Sequence, residues 1–262
     1  MIRFSANLGF LWKDLALPDA IHRAAAAGFD AVECHEPYAH DPSDVLAALQ
    51  TTGLEMVSLN TFTGDQPGDF GLAALPDRID QARAAIDQAV AYAEAIDCAA
   101  VSVVAGRSGR TPESESVYRD NLAYACDRAA AVGRTILIEP LNTNVAEDYH
   151  LVTTDAAVET IEAVGASNLK LMLDTFHAST MEADPVLDVV ARAMPHIGHI
   201  QISAFPDRGE PDRISSDSGD VDFEHLLPAI AALGYTRPFG AEYNPRGDSV
   251  EAGLSWLEAW RS

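Results

Sequence analysis

The 262-residue chain carries 40 acidic against 17 basic side chains, a formal net charge of −23, with 48% hydrophobic and 22% charged residues. Phosphate backbones are bound by displacing their counterions with Lys and Arg, so a surface this acidic argues against nucleic acid and anionic membrane as partners. The apolar fraction is that of a folded globular chain, and no stretch approaches the ~18 apolar residues of a membrane span.

The first strand is expected over residues 2–7, where the N-terminus lacks the continuous apolar core and small-residue cleavage site of a secretory leader. Further strands are predicted over 31–34, 54–60, 100–104, 135–139, 169–174, 197–203 and 239–243, each a short apolar run. Ala-rich amphipathic stretches fill the gaps as helices. Pro18 opens the first and Gly28 follows it; Pro42 and Gly53 frame the second, and the long helix beginning near Pro112 ends before Gly133. The loops 61–75 and 205–220 are long, follow strands and are candidate lids. Cys34, Cys98 and Cys126 form no CxxC pair and an odd count, which predicts core residues in a reducing cytoplasm.

Eight strand–helix alternations without a Ser/Gly linker predict one (β/α)₈ TIM barrel spanning 1–262 as a single domain, and the length matches the roughly 250 residues usual for that fold. A doubly wound open sheet is the structural alternative, but no GxGxxG follows the first strand, so it lacks its usual cofactor signature.

Acids fall at the predicted strand ends, which in a barrel point into the catalytic mouth. Glu139 closes the fifth strand, Asp174 the sixth and Glu242 lies in the eighth, with Gln201 on the seventh between them. Crowded carboxylates raise one another's pKa, and a divalent cation relieves the repulsion. Four oxygen donors suit Mg²⁺ or Mn²⁺ better than zinc. Abstracting a proton beside a carbonyl leaves charge on oxygen, which such a cation would stabilise. Glu139 and Glu242 are the expected proton carriers. His177, three residues past Asp174, and Arg208, in the loop after the seventh strand, are expected to bind a substrate oxygen or carboxylate, against the alternative of plain loop residues. His199 shares a face with Gln201 and is a ligand or a deeper barrel residue; Glu33 is expected at the mouth or its rim. Tyr38, Asn7 and Asn60 are possible mouth residues. His22 and His225 read as surface or packing residues.

In these residues the chain resembles the hydroxypyruvate isomerase family among the xylose-isomerase-like barrels. The resemblance runs through Arg3-Phe4-Ser5-Ala6-Asn7-Leu8, Pro37-Tyr38, Ile138-Glu139-Pro140-Leu141-Asn142 and Asn168-Leu169-Lys170. It continues in Asp174 with His177, Ile197-Gly198-His199-Ile200-Gln201-Ile202, Arg208-Gly209-Glu210-Pro211, Glu242-Tyr243 and Glu251-Ala252-Gly253-Leu254. It implies interconversion of hydroxypyruvate and tartronate semialdehyde, with Glu139 and Glu242 carrying protons. Related ketose epimerases bind a divalent metal at positions matching Glu139, Asp174, Gln201 and Glu242, with His usual where this chain has Gln201. Ser203-Ala204-Phe205 replaces a more polar run, and 212–217 looks like an insertion, so the substrate pocket departs from the pattern.

The expected partner is a small hydroxy-carbonyl compound, with a homo-oligomer open. A ketose 3-epimerase would use the same acids but return the proton to the opposite face of the same carbon. A metal-dependent phosphodiesterase would call for more His ligands and a basic surface. A non-catalytic sugar-binding barrel would leave the acidic mouth idle.

Overall fold

The computed structural model describes residues 1–212 and 221–260, so most of the expected insertion at 212–217 lies outside the described residues. The strands are β1 (Phe4–Asn7), β2 (Ala31–Cys34), β3 (Glu55–Asn60), β4 (Ala100–Ser102), β5 (Thr135–Ile138), β6 (Leu169–Asp174), β7 (Ile197–Ile202) and β8 (Phe239–Ala241). They form a closed parallel barrel in sequence order, sealed where Phe4, Ser5 and Ala6 of β1 pair with Phe239, Gly240 and Ala241 of β8. Closure leaves no strand edge unpaired. The helices are α1 (Leu17–Ala27), α2 (Pro42–Thr52), α3 (Ile79–Ala95), α4 (Pro112–Ala130), α5 (Thr154–Val164), α6 (Thr175–Met181), α7 (Val186–Ala193), α8 (Phe223–Ala232) and α9 (Ser255–Ala259).

Local chemistry sets the helix ends where the sequence placed them. In α1, Pro18 sits in the first turn and Gly28 takes the left-handed conformation that ends it. Its buried residues Leu17, Ala20, Ile21 and Ala24 recur at helical spacing and face the barrel. In α2, the Asp41 carboxylate accepts from Ser43 N ahead of Pro42, and Gly53 closes the far end in the same left-handed state. Strands β4 and β8 are shorter than expected, because their chains leave the sheet to form the mouth. None of the described helices is long and apolar enough to cross a membrane. The three cysteines are buried and unbridged.

Alternation along the strands gives the barrel interior two different fillings. Ala100, Leu137 and Met172 form an apolar plug on β4, β5 and β6. Across from it, Ser5, Glu33 and His199 form a buried polar layer on β1, β2 and β7. Gly240 makes room for that layer: a Cβ there would lie 2.7 Å from both Glu33 carboxylate oxygens and 2.8 Å from His199 Nε2.

The loops above the barrel are tied down. Glu36 accepts from Thr63 N at 3.0 Å, Arg78 grips the Asp69 carboxylate at 2.8 and 3.0 Å, and Asn121 Nδ2 donates to Ala73 O at 2.9 Å. The predicted lid over 61–75 is therefore anchored from several sides. After β4, Ser108 Oγ and Glu115 Oε2 bond the two nitrogens of His150, at 2.7 and 2.9 Å, and so join this loop to α4 and to the chain following β5. Gly71 and Gly106 cross at close range, and a Cβ at Gly71 would stand 2.5 Å from Val104 O and 2.7 Å from Gly106 N. Gly71 also has φ +104. Gly71→Ala is therefore expected to destabilise the protein by about 2 kcal/mol or more, read as a lower urea midpoint at unchanged slope.

Candidate active site

A cavity of about 390 Å³ opens at the C-terminal end of the strands. Glu139 follows β5 directly, continuing the inward alternation of Leu137, and Glu242 follows β8. Both line the cavity with Gln201, His177 and Arg208. Asp174, the last residue of β6, borders it from the side; its Oδ1 accepts from Phe176 N at 2.9 Å and caps α6. The sequence-predicted set is thus brought together, with Asp174 also serving as a helix cap.

The electrostatics centre on Arg208. Its Nη2 donates to Glu242 Oε1 at 2.5 Å and to Asp174 Oδ2 at 3.2 Å. The guanidinium lies over the rings of Phe10 and Phe176, with Cζ 4.7 and 5.1 Å from their centroids, a desolvated cation–π seat. Arg208, expected from the sequence to bind a substrate oxygen or carboxylate, also answers two of the protein's own acids.

Beneath the mouth, Glu33 is a hub. Its Oε1 accepts from Asn7 Nδ2 and Gln201 Nε2 at 3.0 and 2.8 Å, and its Oε2 meets Ser5 Oγ and His199 Nε2 at 3.0 and 2.7 Å. Burial alone would raise its pKa, but the charge and hydrogen bond of His199, with bonds from Gln201 and Ser5, hold it below the ordinary carboxylate value. Glu33 therefore lies deep in the barrel, not at the rim, and His199 is the deeper residue of the two readings the sequence left open. The same Asn7 and Gln201 amides also donate to Glu242 Oε2, Asn7 at 2.7 Å. Two amides thus link the hub to the carboxylate above it. Tyr38 donates to Asn60 O and packs on Tyr92. His22 lies on an exposed position of α1, and His225 on one of α8.

Glu139 is pushed well above the ordinary carboxylate value by burial, then by Glu242 and Asp174 nearby. Glu242 is raised to about 8 by burial, with Asp174 and Glu33 adding to the rise and Arg208 opposing it. His177 is lowered to about 4 by burial. Asn142 N donates to His177 Nδ1 at 3.0 Å, which puts the neutral ring's proton on Nε2, facing Asp174 Oδ2 at 3.6 Å and Glu139 Oε1 at 3.9 Å.

One atom each from Glu139, Asp174 and His177 lies within 4.8 Å of the others, a possible cation site. With its proton on Nε2, His177 turns an N–H and not a lone pair toward this site. The oxygens do fit a hard cation: Glu139 Oε1 and Gln201 Oε1 are buried without a hydrogen-bond partner among the described residues.

Sequence reasoning missed His35, Ser58 and Ser102, which line the cavity with the expected Asn60 and Asn7. An inward-facing Ser or His near a strand end carries the same period-two signal as the acids, but a lone neutral side chain gives no reason to single it out.

A barrel with oxygen donors converging at the ends of β5 to β8 defines the class, and the model of the xylose isomerase-like TIM barrel family matches residues 21–260. The chain belongs to this family. It is 38% identical to the 2-oxo-tetronate isomerase of Cupriavidus necator over 264 residues, covering 99% of each chain. It is 31% identical to the hydroxypyruvate isomerase of Escherichia coli over 265 residues, covering all of both. Among solved structures it is similar to a Brucella melitensis protein described as an AP endonuclease of family 2, with a TM-score of 0.91 and 32% identity over the full length of each.

Because folding keeps His177 neutral with its pKa lowered from 6.5 to about 4, the stability it allows is complete above pH 6.5 and is lost as pH falls towards 4. Between pH 7 and 5 the wild type should lose about 2 kcal/mol more stability than His177→Gln, measured by urea unfolding at the two pH values.

Proposed function

We propose that the protein interconverts a small 2-oxo acid bearing an adjacent hydroxyl with its isomer, hydroxypyruvate and tartronate semialdehyde being the smallest such pair. That the chain is an isomerase follows from its full-length likeness to two enzymes so named. The observation carrying the mechanism is the pair Glu139 and Glu242, buried in one cavity and both raised in proton affinity. Carboxyl groups with raised proton affinity in one cavity suit proton transfer, one acting as the base and the other as the acid.

One glutamate takes the proton from the hydroxyl-bearing carbon, and the electron pair moves into a carbon–carbon double bond as charge gathers on the former carbonyl oxygen. The proton then returns to the former carbonyl carbon, while the hydroxyl proton passes from one oxygen to the other. Atoms and electrons balance within the substrate. Arg208, fixed between Phe10 and Phe176, supplies positive charge beside the reacting oxygens. His177 Nε2–H is a neutral donor available to a substrate oxygen. A divalent cation, Mg²⁺ or Mn²⁺, held by oxygens of Glu139, Asp174, Gln201 and Glu242 would supply Lewis-acid polarisation. The acidic surface, and the absence of a second His from the cation site among the described residues, favour isomerisation over phosphodiester hydrolysis.

Glu139→Gln and Glu242→Gln should each lower turnover by about 10²–10⁴-fold while remaining folded. Proton NMR of hydroxypyruvate in D₂O checks this through loss of exchange at the substrate carbon and absence of the aldehyde product. Undiminished exchange in both variants would sink the mechanism, whereas an inverted ketose centre from wild-type protein would assign it to epimerisation.

A further inference from the structure

A divalent ion in the mouth and the Arg208 guanidinium draw on the same oxygens. Of the four side chains that would hold the ion, two have an oxygen free: Glu139 Oε1 and Gln201 Oε1 are buried without a hydrogen-bond partner among the described residues. The other two do not. Glu242 commits Oε2 to the amides of Asn7 and Gln201, and its Oε1 accepts from Arg208 Nη2 at 2.5 Å. Asp174 commits Oδ1 to the cap of α6, and its Oδ2 accepts from the same Nη2 at 3.2 Å. One guanidinium nitrogen thus sits on the last oxygen of each of two carboxylates.

Arg208 is fixed there with its charge poorly screened. Its side chain is largely buried between Phe10 and Phe176. Its backbone is pinned on both sides, N donating to Ala204 O at 3.0 Å and O accepting from Asn244 N at 2.8 Å. Its Nε is buried without a partner among the described residues, so no acid beyond Asp174 and Glu242 shares the charge through that edge. A guanidinium keeps its proton throughout the pH range in which proteins fold. Two effects on a divalent ion follow. A fixed positive charge out of water repels the ion with little solvent or salt screening. The same charge already relieves the crowding of Asp174 and Glu242, and that relief is much of what draws an ion to clustered carboxylates.

We propose that Arg208 is a built-in competitor of the divalent ion for Asp174 and Glu242, so that the chain binds its ion weakly where a neutral residue at 208 would bind it tightly. This rests on the cation site named in the proposed function, but not on the reaction carried out there. The sign of the effect is diagnostic. A residue that only bound substrate would leave the ion's affinity unchanged when removed, and one that only shaped the loop after β7 would weaken the ion when lost. A competitor alone predicts that its removal tightens the ion.

The test is Mn²⁺ binding to chelator-treated full-length protein, with free Mn²⁺ read by electron paramagnetic resonance. Arg208→Met and Arg208→Gln both remove the charge and keep a long stem between the two rings; thermal unfolding confirms the fold, and two variants guard against one failing to fold. Each should bind Mn²⁺ about tenfold or more tightly than wild type, whereas Arg208→Lys, which keeps a charge, should stay within about threefold of wild type. Affinity in the neutral variants equal to or below that of wild type overturns the competition, and so does an equal tightening in Arg208→Lys. Failure of wild type and all variants to bind at millimolar Mn²⁺ overturns it together with the cation site, while the isomerase reading stands or falls on its own exchange measurement. Tighter binding in the neutral variants, with no turnover of hydroxypyruvate by wild type at any Mn²⁺ concentration, upholds the competition and overturns the isomerase reading instead.

Discussion

Four carboxylates share one end of the barrel axis, and a single guanidinium among the described residues lies within bonding reach of them. Glu139, Asp174 and Glu242 crowd the mouth, Glu33 sits below, and Arg208 Nη2 bridges Asp174 and Glu242. Like charges this close cannot all ionise cheaply in a desolvated site. The protein resolves the excess unevenly. Glu33 stays charged because His199 and three further donors hold it, while Glu139 and Glu242 take up the strain as raised proton affinity.

Much of the surrounding construction holds that single cation in place. Arg208 has φ +56, a left-handed backbone that a non-glycine residue adopts only when its surroundings enforce it. The enforcement is visible on both sides: Asn244 N donates to Arg208 O, and Arg246 grips Asp207 through Nε and Nη2 at 2.6 and 3.0 Å. Gly209 has no side chain because the Arg246 guanidinium fills that space, 2.3 Å from where a Cβ would be. The loop after β7 is thus folded around a second arginine so that the first can point inward.

The sequence carried the barrel, the strand ends and the acid positions because each rests on a local signal. Period-two alternation, Pro18 and Pro42 at helix starts, and Gly28 and Gly53 at their ends are readable within a few residues. The set Glu139, Asp174, Gln201 and Glu242 followed from position relative to predicted strands. What stayed hidden depends on depth and on pairing across the barrel. Glu33 and Glu242 look alike in sequence, yet one is a sealed hub and the other faces the cavity, a difference set by Gly240 opposite Glu33 and by the amides of Asn7 and Gln201. That Arg208 also pairs with Asp174, 34 residues earlier in the chain, has no local signal. His35, Ser58 and Ser102 escaped notice because a lone neutral side chain near a strand end gives no reason to single it out.

The Asn7–Glu242 hydrogen bond spans the seam where the first strand meets the last, 235 positions apart. One consequence concerns biosynthesis. During translation Asn7 and Glu33 emerge early, and the carboxylate they help to position arrives only when the chain is nearly finished. A ribosome stalled anywhere before the eighth strand therefore carries a chain with an open seam and an unpaired strand edge, and without Glu242. Closure of the barrel and arrival of Glu242 opposite Glu139 are the same event, so a truncated product lacks both.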